Sequence, residues 1–266
     1  METLPLYLVD AFTARPFGGN PAGVCLLDRP RPDDWMQSLA AELKHSETAF
    51  LLPEGDGYRL RWFTPADEVD LCGHATLASA YVLFESGRAA PGQQLRFYTR
   101  SGLLTAAQEE GRILLDFPAT PAAPAAAPAG LLPALGLSAA AYVGKNAYDY
   151  LVELPEGVEI EAVQPDFAAL KAVDGRGVMV TSGPRGEYDF VSRFFGPQVG
   201  IDEDPVTGSA HCTLAPYWSA RSGKRRFLAY QASARGGVLR VSLEGERVVL
   251  GGEAVIVFGG QLRVQP

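Results

Sequence analysis

The stretch IDEDPVTGSAHCTLA, running from Ile201 to Ala215, has a partner far upstream in EVDLCGHATLA, from Glu68 to Ala78. Each places an acidic residue a few positions before a glycine, then a polar side chain, then alanine and a helix-forming run ending in Leu-Ala. Working outward, RWFTP at Arg61 to Pro65 matches RFFGP at Arg193 to Pro197, and SETAFLLP at Ser46 to Pro53 falls against GVMVTSGP at Gly177 to Pro184. GGNPAGVCLL from Gly18 sits loosely against GKNAYDYLVEL from Gly144. Four matches in one order indicate a single internal duplication and two similar domains, not the many-unit repeat of a solenoid.

Composition limits the function classes. At 266 residues and 47% hydrophobic content the chain can bury a sizeable core. No run approaches the ~20 apolar residues of a membrane span, and METLPLYLVDAF lacks the basic start and apolar core of a secretory signal, so a cytoplasmic address is expected. Three widely spaced cysteines, Cys25, Cys72 and Cys212, argue against a disulfide framework. A formal charge of −8 disfavours nucleic acid and anionic membrane as partners. A small molecule is the expected ligand. The chain has no P-loop, no complete dinucleotide-binding glycine pattern (GRGVMV at Gly175 reads as a turn) and no Cys/His cluster at metal-ligand spacing. No cofactor and no metal are expected. The basic run GKRRF at Gly223 reads as a solvated helix end.

From Phe117 to Leu137 the chain reads FPATPAAPAAAPAGLLPALGL, too rich in Pro and Ala for a strand, and it is read as a connector. The expected boundaries are an N-terminal domain over 1–117, completed by a C-terminal strand at 256–266, a connector over 118–143, and a second domain over 144–255. Strands are expected at Tyr7 to Asp10, Gly23 to Leu27, Thr48 to Leu52, Tyr58 to Thr64, Gln94 to Thr99, Leu103 to Glu109 and Arg112 to Asp116. After the connector they are expected at Tyr148 to Glu153, Gly177 to Thr181, Tyr188 to Phe195, Phe227 to Gln231, Val238 to Leu243, Arg247 to Gly251 and Ala254 to Val257. Helices are expected at Pro32 to Leu43, Gly73 to Ser86, Asp166 to Ala172 and Gly208 to Ser222. Strands outnumber helices in both halves, which predicts an α+β fold of mostly antiparallel sheet around few helices.

If the halves face each other, the helix starts at Gly73 and Gly208 open on one cleft. Their unpaired N–H groups and positive dipole ends favour a carboxylate. His74 and Ser209, just after each glycine, are then candidates to face the ligand, with Asp204 at the mouth. The repeat also exposes what is not duplicated: Glu47 aligns with Val178, leaving one carboxyl group. A partly desolvated glutamate is suited to take a proton from carbon and return it elsewhere. Each of these residues also has an ordinary reading. Glu47 can be a solvated turn residue, His74 a satisfied core histidine, Asp204 a cap, Asn20 a turn former and Cys72 an inert buried thiol, while His211 and Cys212 read as packing.

DAFTARPFGGNPAGVCLL, HSETAFLL, RWFTPADEVDLCGHATLA, RFFGPQVGIDEDPVTGSAHCTLAPYW and YQASARGG together resemble the phenazine-biosynthesis PhzF-like isomerase family of the diaminopimelate epimerase-like superfamily. The resemblance spans essentially the whole chain. It implies two pseudo-symmetric domains, each a sheet rolled around a central helix, and a cofactor-independent isomerase of a small carboxylated metabolite, plausible as a homodimer. Carried over by motif, it makes Glu47, His74 and Asp204 catalytic and Asn20, Gly73, Gly208 and Ser209 substrate-binding. The chain departs from the family's best characterised isomerase at Cys72, where that enzyme has alanine. Epimerase relatives use a thiol from each half, whereas the second place here is Thr207. Cys72 with Thr207 therefore defines an alternative, a cysteine-dependent epimerase or dehydratase. A non-catalytic partner-binding protein on the same fold is the third reading.

Overall fold

The computed structural model describes residues 2–264. Two compact units divide the chain, one running up to Asp116 and resuming at Gly251, the other covering Phe117–Leu250.

In the first unit, β1 (Glu2–Ala11) pairs antiparallel with β2 (Asn20–Leu26) on one side and with the last strand, Ala254–Val264, on the other. Helix α1 (Asp33–Leu43) covers part of the sheet, packing Met36 and Ala40 with Leu4, Phe50 and Phe63. β2 runs parallel to β3 (Glu47–Glu54), which is antiparallel to β4 (Gly57–Phe63). β4 then pairs antiparallel with the short β5 (Glu68–Val69) and parallel with β6 (Leu95–Thr99). The antiparallel strands β7 (Gly102–Glu109) and β8 (Arg112–Pro118) follow. Helix α2 (Gly73–Glu85) is buried from His74 to Ala80 without interruption. A helix apolar all round belongs in a core. Its hydroxyls are absorbed by its own backbone, Thr76 Oγ1 donating to the Cys72 carbonyl (2.5 Å) and Ser79 Oγ to that of Ala75 (2.7 Å).

The second unit opens with β9 (Ala123–Pro124), α3 (Leu131–Ala134) and β10 (Tyr142–Lys145). Then come β11 (Asp149–Glu153), α4 (Phe167–Leu170), β12 (Gly177–Ser182), β13 (Phe190–Gly196) and β14 (Ile201–Asp204). Helix α5 (Gly208–Ser222), β15 (Arg226–Gln231), β16 (Gly237–Glu244) and β17 (Arg247–Gly252) complete it. β11 is parallel to β12, β12 antiparallel to β13, and β13 antiparallel to β14 but parallel to β15, which is antiparallel to β16. This is the order of pairings from β2 to β7, with the buried helix again after the short strand. The fold is α+β, and its topology occurs twice.

The same fastening recurs too. Arg61 grips Glu68 through Nε and Nη2 (2.7 and 2.6 Å) with its guanidinium 5.0 Å from the Phe63 ring. Arg193 grips Glu203 (2.7 and 2.9 Å) over Phe195 at 4.8 Å.

Strand register corrects two matches drawn from sequence. Thr48 opposes Phe63 and Val178 opposes Phe195, so with the two phenylalanines equivalent, Val178 answers Thr48. The counterpart of Glu47 is therefore Gly177, not Val178. The sequence match slipped because it was carried through the turn: Phe63 comes 15 residues after Thr48, and Phe195 17 after Val178. A one-residue slip puts a strand side chain on the opposite face, so the correction matters chemically. The slip extends to β2, where Gly23 pairs with Thr48 as Tyr150 pairs with Val178, moving the counterpart of Asn20 from Asn146 to Ala147.

The Pro/Ala segment is not strand-free: Ala123 and Pro124 pair with Lys145 and Gly144, an edge position where the missing N–H of proline is tolerated. Leu131, Ala134 and Leu135 are buried in the core of the second unit. Neither β10 nor β14 was expected, the latter because IDED carries no apolar alternation. Among the described residues no helix is long and apolar enough to cross a membrane.

Candidate active site

Gly19 delivers Asn20 to the start of β2. It holds φ at +60°, and a Cβ there would meet the Ala11 carbonyl oxygen at 2.1 Å. Asn20 is fully buried, and its Oδ1 accepts from Ser46 Oγ (3.2 Å). Glu47, the first residue of β3, places Oε2 3.2 Å from His74 Nε2, and Ser46 Oγ lies at the same distance from that nitrogen. The other ring nitrogen of His74 faces Cys72 Sγ at 3.5 Å. The first unit thus gathers Asn20, Ser46, Glu47, Cys72, Gly73 and His74 at the first turn of α2.

Charge and tautomer follow from burial. His74 is 5% exposed, and desolvation pulls its pKa down to about 3. At neutral pH the imidazole is uncharged, so its 3.2 Å approach to Glu47 is not an ion pair. With the single Ser46 proton directed at Asn20, the network assigns the histidine proton to Nε2, which donates to Ser46 Oγ. Nδ1 is then the acceptor for the Cys72 thiol. Neither α2 nor α5 has a side-chain N-cap hydrogen bond, although Thr207 is a residue type that commonly supplies one.

In the second unit the Thr207 hydroxyl instead donates to Asp204 Oδ2 (2.5 Å). Buried Gln231 ties this corner together. Its Nε2 donates to the Asp204 carbonyl (2.8 Å) and to Thr207 Oγ1 (3.1 Å), and its Oε1 accepts from the Thr207 N–H (2.8 Å). Ser209 Oγ accepts from Arg176 Nη2 (3.1 Å), and Arg176 grips Asp149 through Nε (2.9 Å) and Nη2 (2.5 Å). Asp204, Thr207, Gly208 and Ser209 are thus brought together at the start of α5.

Sequence reading missed Ser46, Gln231, Arg176 and Asp149. Ser46 stands beside Glu47 in HSETAFLL and Gln231 within YQASARGG, so two were in view as parts of motifs; Arg176 was set aside within a turn. Glu47 Oε, Cys72 Sγ and a ring nitrogen of His74 lie within 4.8 Å of one another, a carboxylate, thiol and imidazole set able to hold a divalent ion. Linear ligand spacing could not show it, because Glu47 comes from another element.

Fold and site together define an α+β protein of duplicated topology with polar and ionisable side chains gathered at the first turns of its two buried helices. The phenazine biosynthesis-like protein family model matches residues 9–260, and the chain belongs to that family. It is 52% identical over 264 residues to an uncharacterized isomerase of Halalkalibacterium halodurans, covering 98% of this chain and 99% of that one. Phenazine biosynthesis-like domain-containing protein 2 of Mus musculus is 42% identical over 291 residues, with 97% and 99% coverage. Among solved structures, a PhzF-family protein of Enterococcus faecalis superposes with a TM-score of 0.94 at 42% identity, over 99% and 100% of the two chains. A hydroxyproline epimerase of Agrobacterium vitis, at 15% identity and a TM-score of 0.64 over 98% and 92%, shares the fold.

Proposed function

We propose that the protein is an isomerase that shifts a proton within a small carboxylated metabolite, with Glu47 as the single shuttling base. The observation that carries this reading is the Glu47 carboxylate held 3.2 Å from a neutral His74 at the first turn of α2. An uncharged imidazole beside the carboxylate leaves its negative charge uncancelled, and the histidine fixes one side of its surroundings. The reaction as proposed moves one proton and needs no redox partner or cofactor. Similarity to relatives named as isomerases points to the same class.

Glu47 takes a proton from a carbon next to an activating group and returns it to another position. First-turn N–H groups and Ser209 supply donors for the substrate's anionic group, and Asp204, bonded to Thr207, belongs to the same reaction. Glu47→Gln is nearly isosteric and should lower turnover about 10²- to 10⁴-fold with little loss of thermal stability. Solvent deuterium incorporation into the substrate carbon is the assay. If Glu47→Gln retains exchange while Cys72→Ser loses it, the single-glutamate reading fails and the thiol alternative stands. A homodimer, proposed from the family resemblance, is checked by sedimentation.

A further inference from the structure

Arg176 immediately precedes Gly177 as Ser46 immediately precedes Glu47, so the register that pairs Gly177 with Glu47 also pairs Arg176 with Ser46. His74 and Ser209 are equivalents as well, each following the glycine that opens its helix. Ser46 bonds His74 and Arg176 bonds Ser209. The contact that orients the acid–base group in the first unit is repeated in the second with a cation in place of a hydroxyl.

The guanidinium is preorganised. Asp149, 1% exposed, locks it in two bonds and supplies the counter-charge, and the rings of Tyr148 and Phe194 lie 5.6 and 5.9 Å from it. Nε and Nη2 are committed to Asp149 and Ser209, whereas Nη1 has no protein partner among the described residues, and the side chain is 39% exposed. Ser209 Oγ already accepts from Arg176, so its own proton is available to donate. An Nη1 N–H and a hydroxyl O–H beside one another are two donors suited to one planar anion.

We propose that Arg176, together with Ser209, binds the carboxylate of the substrate and sets the enzyme's preference for acids over neutral analogues. This rests on the reading above that Ser209 faces substrate. If Arg176 served only to neutralise Asp149, removing both charges together would leave ligand preference untouched.

The probe is benzoate, a planar carboxylate, compared by calorimetry with benzamide, on wild type, Arg176→Lys, Glu47→Gln and the double variant Asp149→Asn with Arg176→Gln. The double variant leaves no buried charge unpaired, and a melting curve checks its fold. Wild type and Glu47→Gln should bind the acid at least about tenfold more tightly than the amide. Arg176→Lys should lose most of that preference, and the double variant all of it. An acid preference that survives in the double variant, or wild type that shows none, overturns the proposal. Loss of deuterium exchange in Glu47→Gln alongside intact acid preference in the Arg176 variants would reject the anion site and leave the proton shuttle standing.

Discussion

Acid should destabilise the second unit through His211, and the size of the effect follows from its surroundings. The ring is fully buried on α5, where Nδ1 faces the Thr207 carbonyl at 2.8 Å and must donate to it. Nε2 is enclosed with no hydrogen-bond partner among the described residues, and the ring stacks 5.9 Å from Phe190. Protonation would put a charge and an unanswered N–H into an apolar core. Burial therefore drags the pKa down to about 4, the bond to the Thr207 carbonyl opposing only part of the shift. The unfolded chain takes up this proton near pH 6.5, the folded chain only near 4, so between those values the unfolded state holds more protons and stability falls as pH falls. At about 1.4 kcal/mol per pH unit, the loss reaches about 2 kcal/mol by pH 5. The informative variant is His211→Thr, because threonine occupies the equivalent position in α2, where Thr76 makes the same bond back to Cys72. It leaves a void costing about 1–3 kcal/mol at every pH but has nothing to titrate. Urea unfolding at pH 7, 6 and 5 should show the wild type losing about 2 kcal/mol more than the variant, since the contribution of His74 is common to both. Parallel stability curves would refute the claim that His211 is neutral when folded.

Gly177→Ala should cost about 1–3 kcal/mol in a thermal or urea melt, because a Cβ there would lie 2.4 Å from Phe194 Cζ and 2.9 Å from the Phe195 carbonyl oxygen. A neutral result would mean that Phe194 yields easily and that glycine is not required. Cys25, fully buried with its pKa pushed up to about 12 by desolvation, should resist a thiol-specific disulfide reagent at pH 8 in the folded protein and react once the chain is unfolded. Rapid labelling in the native state, located by mass spectrometry, would contradict its assigned burial.

The paired helices were legible because the constraint on each is local. A buried helix entered from a short strand needs small residues and a glycine at its first turn, and GHATLA and GSAHCTLA both display them. The Arg-x-Phe strands were legible for the same reason. Alignment of Glu47 was not, because strand register is settled by partners far along the chain while turns absorb insertions silently. β14 was hidden because its residues pair through backbone groups that IDED does not advertise. Arg176 was hidden because its role depends on Asp149 and Ser209, which are distant in sequence.

Equivalent positions separate what the scaffold needs from what the chemistry uses. The Arg–Glu clamp is kept in both units, and Thr76 and His211, though chemically different, both bond back to the carbonyl of the residue just before their helix. The positions around the two first turns diverge instead: Glu47 against Gly177, Ser46 against Arg176, Cys72 against Thr207, His74 against Ser209. The glycine has a physical cause, since the Phe194 ring fills the space a side chain at 177 would need, whereas the equivalent residue in β4 is Trp62, paired with Ala49 as Phe194 is with Met179. No second carboxylate can therefore arise at the place that mirrors Glu47 without moving that ring. Racemisation through opposed bases requires an acid–base group on each face of a carbon, whereas one base removes and returns its proton from the same side. With Glu47 alone in that role, the proposed reaction is a proton shift along a single face of the substrate.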